Sequence, residues 1–242
     1  MDDINSWVSK NTNGMIEKIF EEINPDALMY LINALVFDAE WEKAYSETSI
    51  SDKDFTSISG ETGTVKMMHS TEYKYLHSKN ATGVIKEYKC KKYSFAAILP
   101  DKGIDLYDYI DSLTAKELKE MLSDCDNIQV ITQIPKFRYD CSFYMKNILS
   151  SLGMPSAFTY NADFSSVSKE PSIFIEDIIH KTFIDVSENG TKAAAVTGAI
   201  ARGWGDEVQK AYVTLDRPFI YMIIDNETNL PIFIGAVTDI QN

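Results

Sequence analysis

The segment Ser187–Glu207, SENGTKAAAVTGAIARGWGDE, decides how this chain is interpreted, and it lies between two predicted buried strands, 173–186 and 219–237. Alanine and glycine dominate it, and large apolar side chains are few. A loop of this composition would bury little apolar area, so the hydrophobic effect would not hold it in place. The segment is therefore either a flexible connector between the two strands or a segment that can exist in two states, as a loop and as a strand of a sheet.

From Thr191 onward, alternate positions of this segment differ in side-chain size. Successive side chains of a strand point to opposite faces, so every second residue would share one face in a sheet. One set contains only small residues: Thr191, Ala193, Ala195, Thr197, Ala199, Ala201 and Gly203. The other set, which includes Lys192, Ala194 and Arg202, is larger and mixed. The pattern fits both a flexible connector and a strand that inserts into a close-packed sheet.

Composition argues against several classes of function. The formal net charge of the 242 residues is −13, so no basic field is present to bind a nucleic acid backbone. No apolar run reaches the length of a membrane span, and we expect no membrane partner. The three cysteines and three histidines are scattered, which predicts no disulfide framework, no metal site and no cofactor. No GxSxG motif supports a hydrolase, so we do not expect an enzyme.

The hydrophobic patterns predict a few short helices and many strands. Residues 4–23 have helical spacing on both sides of Asn13-Gly14, residues 27–41 fit one strand buried on both faces, and the polar segment 45–65 is predicted to be a loop. Further strands are predicted at 65–68, 73–77, 83–88, 93–99, 127–142, 173–186, 211–215, 218–225 and 231–237. The chain is thus predicted to be one α+β domain with much sheet.

Two helical regions carry recognisable end signals. Residues 105–125 predict two short helices separated at 112–114, and Thr114 forms a capping box with Glu117 at the start of the second. Residues 143–154 are predicted to be helical, with Gly153 closing the helix.

Several motifs, taken in order, resemble the serpin family along residues 3–238. They are INSWVSKNTNGMI (4–16), INALVFDAEW (32–41), QIPKF (133–137), ILSSLGMPSAF (148–158), ADFSSVS (162–168), IHKTFIDVSENGT (179–191) and RPFIYMIIDNETNLPIFIGAVT (217–238). The resemblance implies an α+β serpin fold, with a large mixed sheet A, sheets B and C and flanking helices. It also implies a single, incomplete domain over 1–242 that lacks the N-terminal helices and some strands of the family.

In serpins, a protease attacks an exposed reactive loop, and the cleaved loop inserts into the main sheet of a metastable fold. The resemblance therefore implies a monomeric suicide inhibitor of serine proteases, with cysteine proteases as a second target class. The alternative is a non-inhibitory, or truncated and inactive, serpin-fold binding or storage protein. The family favours an extracellular location, although the region that would carry a signal is absent from this chain.

The resemblance places the reactive loop at about 188–210. Its hinge would contain Glu188, Gly190, Thr191, Ala193, Ala194, Ala195 and Thr197, with Gly190 supplying backbone freedom. Family spacing from Glu188 puts the cleaved bond at Trp204–Gly205, which favours a chymotrypsin-like target. Arg202–Gly203 is the trypsin-like alternative, and counting back from Pro218 points nearer to Glu207.

Four residues outside the loop are assigned structural roles by the same resemblance. Lys136 would pair with Glu188 at the top of the main sheet, and the alternative is two unrelated surface charges worth under about 1 kcal/mol. Asn33 and His180 resemble the polar pair beneath the centre of the sheet, where strands must part. Trp41 is predicted to be a packing anchor near the place where the loop inserts.

Overall fold

The structure is a computed structural model that describes residues 1–169, 173–191 and 209–240. The chain divides into two compact units. Unit 1 comprises Met1–Phe37 and Arg138–Ile184, and unit 2 comprises Asp38–Phe137 and Asp185–Asn242. The single domain over 1–242 stays a prediction.

The described secondary structure is mixed α+β with three sheets, which confirms the predicted fold class. The helices are α1 (Asp2–Asn11), α2 (Leu106–Ser112), α3 (Ala115–Ser123) and α4 (Lys146–Ser151). The strands are β1 (Tyr30–Val36), β2 (Ala39–Glu40), β3 (Ile50–Thr56), β4 (Thr62–Glu72), β5 (Lys74–His77), β6 (Ala81–Glu87), β7 (Tyr93–Pro100), β8 (Gln129–Pro135), β9 (Phe137–Tyr144), β10 (Asp177–Ser187), β11 (Gly190–Thr191), β12 (Lys210–Thr214), β13 (Phe219–Asp225) and β14 (Pro231–Val237). Single 3₁₀ turns lie at Glu47–Ser49 and Ser156–Phe158.

Unit 1 is built around the parallel pairing of β1 with the first part of β10. The register runs from Tyr30 opposite Asp177 to Val36 opposite Phe183, and β9 also pairs with β10. Helix α1 and the segment after it complete an apolar core of Val8, Met15, Ile16, Ile19, Phe20, Ile179 and Phe183.

The helix predicted after Asn13-Gly14 is wrong, because residues 15–23 are irregular. The cause is Asn5 in α1, whose side-chain amide donates to the Phe20 carbonyl at 3.0 Å and accepts from the amides of Ile19 at 2.9 Å and Phe20 at 3.1 Å. These bonds satisfy backbone groups that a helix would have satisfied internally. The apolar residues of 15–23 are still packed in the core of unit 1. Their spacing in the sequence therefore indicated burial correctly but did not indicate a helix.

The prediction of one strand over 27–41, buried on both faces, is also wrong. The structure has two separate strands, β1 and β2, and the exposure of β1 alternates: Leu31 is 43% exposed, whereas Ile32 packs against the core of unit 1. One face of β1 covers that core, which gives the alternation.

Unit 2 contains two sheets. One has the order β12-β8-β4-β3, with β12 parallel to β8 and the other pairs antiparallel. The other has the order β14-β13-β7-β6-β5 and is antiparallel throughout. The strands predicted at 65–68, 73–77, 83–88 and 93–99 are confirmed as β4 to β7.

The predicted loop over 45–65 contains strand β3, which is a correction. Strand β3 forms a hairpin with β4, but residues 51–54 are exposed and only Phe55 is buried. An edge strand with a single apolar anchor lacks the alternation by which strands are recognised.

Helices α2 and α3 confirm the prediction for 105–125. The Thr114 hydroxyl accepts a hydrogen bond from the Glu117 amide at 3.1 Å, and the Asp105 carboxylate caps α2. Both helices pack on the β14-β13-β7-β6-β5 sheet around a core that includes Leu76, Ile98, Leu106, Tyr109, Leu122 and Met222.

Candidate functional site

The described part of the predicted hinge is a tight hairpin, Val186–Thr191, which we call the hinge hairpin. It joins the end of β10 to β11 through a turn at Glu188–Asn189, and β11 pairs on its other side with β2. The hairpin, β2 and their neighbours described below all belong to unit 2. The remaining predicted loop residues lie outside the described residues: Ala193, Ala194, Ala195, Thr197, Arg202, Gly203, Trp204 and Gly205.

Gly190 sits where the backbone of β2 approaches most closely. Its φ is +152°, and a Cβ built there would meet the carbonyl oxygen of Ala39 and lie 2.8 Å from Cα of Glu40. Sequence reasoning assigned this glycine for backbone freedom. The structure adds a second reason, because the neighbouring strand leaves no room for a side chain.

Thr191 is fully buried, and the inward-facing set predicted to begin with it stays a prediction. Its hydroxyl shares a 2.6 Å hydrogen bond with the hydroxyl of Tyr88, which is itself fully buried. Burial raises the pKa of Tyr88 far above its usual value, so the phenol stays neutral. The first loop residue after the glycine is therefore already part of the sheet core.

Trp41 holds the turn of the hinge hairpin with its backbone and its side chain. Its indole Nε1 donates to the Ser187 carbonyl at 2.8 Å, and its amide donates to the Asn189 carbonyl at 3.1 Å. The ring is 2% exposed and stacks on Tyr88, with centroids 4.6 Å apart and planes 7° apart. Trp41 thus connects the hairpin to Tyr88, the residue that follows β6, through aromatic packing.

Lys136 and Glu188 are brought together by the structure. Lys136 Nζ lies 2.5 Å from Glu188 Oε2, and their side chains are 30% and 31% exposed. The hydrogen bond from Lys136 lowers the pKa of Glu188 below its usual value. The pair joins the turn of the hinge hairpin to the residue between β8 and β9, while its role in the family's mechanism stays a prediction.

Replacing Glu188 with glutamine is expected to lower the free energy of unfolding at pH 7 by under about 1 kcal/mol, since both partners are nearly a third exposed. The folded-state pKa is lowered from 4.5, so the stabilisation is fully present above that pH and lost as the pH falls through the folded value. Urea unfolding at several pH values measures this. Glu61→Gln, at an exposed carboxylate, is the control, and a Glu188→Gln deficit that persists in acid would contradict the pairing.

Asn33 and His180 are register partners in the parallel pairing of β1 and β10, within unit 1. The His180 ring is half-buried and lies over Phe143, with centroids 6.4 Å apart and planes 22° apart. The structure therefore places the two predicted residues side by side on adjacent strands. Their role in strand parting stays a prediction.

Sequence reasoning missed four residues around the hinge hairpin: Tyr45, Glu72, Lys86 and Tyr88. Tyr45 donates its amide to the Glu188 carbonyl at 2.9 Å, and Lys86 pairs with Glu72 at 2.6 Å. The available signal was Lys86, a charged residue in the otherwise apolar start of GVIKEY (83–88). The two tyrosines gave no signal, because the chain has 13 of them.

The contacts around the hinge hairpin are backbone hydrogen bonds, stacked rings and ion pairs, which hold the hairpin in position. Within the described ranges, no cluster of three or more His, Cys, Asp or Glu side chains could hold a metal ion. No helix among the residues that the structure describes is long and apolar enough to cross a membrane.

Comparison of the sequence with known proteins gives a consistent result. The family model described as "Serpin (serine protease inhibitor)" matches residues 1–240. An uncharacterized serpin-like protein of Thermococcus kodakarensis is 32% identical over 239 residues, which cover 97% of this chain and 55% of that protein. The plasma serine protease inhibitor of Homo sapiens is 29% identical over 239 residues, covering 98% of this chain and 58% of that protein. The chain thus spans less than two thirds of these relatives.

Comparison of the structure with solved structures also finds serpins. The crystal structure of the thermophilic serpin tengpin in its native state matches with a TM-score of 0.92 and 45% identity, covering 99% of this chain and 62% of that chain. The structure of tengpin in its latent state matches with a TM-score of 0.81 and 39% identity, covering 99% and 64%. Both tengpin structures thus match nearly the whole of this chain.

Proposed function

The chain belongs to the serpin family, and from this premise we propose that the protein containing it is a suicide inhibitor of serine proteases. Serpins generally target proteases and are typically not enzymes. Because the chain spans 55% to 58% of the two relatives described above, the activity is proposed for the whole protein. An extracellular location, a monomeric state and cysteine proteases as a second target class stay predictions.

The observation that carries the proposal is the position of β11. Its two residues, Gly190 and Thr191, already lie between β10 and β2 as the beginning of a strand. The next residues on the inward face of this strand would be Ala193, Ala195 and Thr197, and all are small. A segment whose first residue is buried in the sheet and whose next inward residues are small is suited to insertion.

Insertion beyond the hinge would replace the direct pairing of β1 with β10, where Asn33 lies opposite His180. A dozen inserted residues would form new ladder bonds on both sides at about 1 kcal/mol net each, roughly 10 to 20 kcal/mol in all. Free energy of this size is sufficient to deform an enzyme that is covalently attached to the cleaved loop.

The decisive experiment mixes the protein with chymotrypsin and, in parallel, with trypsin, and analyses the products by denaturing gel and intact mass. Both the 242-residue chain and a version extended at its N-terminus by the corresponding segment of a longer serpin are tested. We expect a denaturant-resistant covalent adduct, and the mass of the released C-terminal peptide identifies the cut at Trp204–Gly205 or at Arg202–Gly203.

The matched control is Ala195→Arg, at a predicted inward-facing position further along the loop, where insertion would bury an uncompensated charge and so be blocked. It should turn the inhibitor into a substrate that is cleaved without forming an adduct. Cleavage within 201–207 without an adduct from either unmodified protein would instead favour the non-inhibitory binding or storage alternative.

A further inference from the structure

Lys86 is the only charged residue among the buried residues of the described ranges. Its side chain is 2% exposed, and its Nζ lies 2.6 Å from Oε1 of Glu72, whose side chain is 14% exposed. The same Glu72 oxygen accepts a hydrogen bond from the Ser70 hydroxyl at 2.7 Å. A buried ion pair is often no more stabilising than apolar side chains of similar volume, so stability alone does not explain this one.

The Lys86 ammonium also lies against two aromatic rings. It is 4.5 Å from the ring centroid of Tyr45 and 5.4 Å from that of Trp41. Cation–π attraction is strongest when the cation is removed from water, as it is here. Burial, followed by the Glu72 carboxylate, raises the pKa of Tyr45, so this ring remains a neutral phenol.

These two aromatic residues donate three hydrogen bonds to three consecutive carbonyls of the hinge hairpin. Trp41 reaches the Ser187 carbonyl with its indole at 2.8 Å and the Asn189 carbonyl with its amide at 3.1 Å. Tyr45 reaches the Glu188 carbonyl with its amide at 2.9 Å. One buried cation therefore lies against both aromatic residues that donate hydrogen bonds to these carbonyls.

We propose that the Lys86–Glu72 pair positions Trp41 and Tyr45 and thereby maintains their hydrogen bonds to the hinge hairpin. Lys86 is then a positioning residue for loop insertion, which requires these bonds to open. Glu72 fixes the ammonium, and the ammonium fixes the two rings. An apolar side chain at 86 would fill the space but would not orient the rings. The inference rests on the proposed function, because opening of the hairpin matters for inhibition only if the loop enters the sheet.

The test is site-resolved amide hydrogen exchange on the 242-residue chain. The variant is Lys86→Met with Glu72→Gln, which removes the cation without leaving a buried carboxylate uncompensated. We expect the amides of Trp41 and Tyr45 to exchange at least about tenfold faster than in the unmodified chain. Slowly exchanging amides of β7 should change by less than about threefold, because their strand pairing is untouched.

Two further variants separate positioning from a general structural effect. Lys86→Arg keeps the cation and should hold exchange of the two amides within about twofold of the unmodified chain. The exposed pair Lys66–Asp52, with both side chains 59% exposed, supplies the matched control Lys66→Met with Asp52→Asn, which should leave the two amides unchanged. If the double variant at 86 and 72 does not fold, Lys86→Gln with Glu72→Gln takes its place, because it removes both charges while keeping two polar side chains that can hydrogen-bond, and the same local increase is expected.

Unchanged exchange at Trp41 and Tyr45, or an equal increase over all of unit 2, would overturn the positioning role. The measurement needs no protease, so its outcome is independent of the adduct experiment. Faster local exchange without an adduct would support the positioning role and remove the proposed function. An adduct with unchanged exchange would support the proposed function and overturn the positioning role of Lys86.

Discussion

Gly190→Ala is expected to lower the free energy of unfolding by about 3 kcal/mol or more. The new Cβ would overlap the Ala39 carbonyl oxygen and lie 2.8 Å from Cα of Glu40, and both are backbone atoms that cannot rotate away. The positive φ of +152° adds backbone strain for any residue with a side chain. Urea unfolding of the unmodified chain and the variant, followed by circular dichroism, measures the difference.

Substitutions at two other glycines separate the two causes of the expected loss of stability in Gly190→Ala, which are the steric overlap with β2 and the backbone strain. Gly63 in β4 has open space and no positive φ, so Gly63→Ala should change stability by less than about 0.5 kcal/mol. Gly60 has open space but a φ of +86°, so Gly60→Ala should cost about 1 kcal/mol from the backbone alone. A cost for Gly190→Ala no larger than that for Gly60→Ala would mean that β2 does not approach the hairpin this closely.

The fold was predictable where the determining contacts are local in sequence. Strand β7 is buried from Ser94 to Pro100 between turn residues, and α3 begins at a capping residue three positions before its partner. The irregular path of 15–23 was not predictable, because the backbone amides of Ile19 and Phe20 bond to Asn5, 14 and 15 residues away. Strand β3 was missed because its exposed residues carry no alternation, and only its pairing with β4 shows it to be a strand.

The candidate site likewise contains residues that the sequence predicted and residues that it did not. The motif SENGT and Lys136 were identified by resemblance to a family, and the structure brings Lys136 to Glu188. The cluster around Lys86 could not be found in this way. The lysine in the apolar start of GVIKEY marks an unusual position, but its partners are Glu72 at the end of β4 and rings that follow β2, and the local sequence does not identify them.

Trp41→Ala is expected to lower the free energy of unfolding by about 4 kcal/mol. The ring is 2% exposed, so its removal leaves a cavity beside Tyr88 and Phe95, whose rings it contacts. The variant also loses the indole hydrogen bond to the Ser187 carbonyl. Amide exchange in the turn of the hinge hairpin should rise more than in β13, because the lost contacts are local to the hairpin.

Trp41→Phe separates the two contributions, because it keeps an aromatic ring but removes the indole N–H. It should cost about 2 kcal/mol, from one lost hydrogen bond and a smaller cavity. Trp7 is 58% exposed, so Trp7→Ala is the control and should change stability by less than about 0.5 kcal/mol. If Trp41→Phe costs as much as Trp41→Ala, the bond to the Ser187 carbonyl dominates and the aromatic stack does not hold the hairpin. If both variants fall within the control range, Trp41 is not the anchor that its burial indicates.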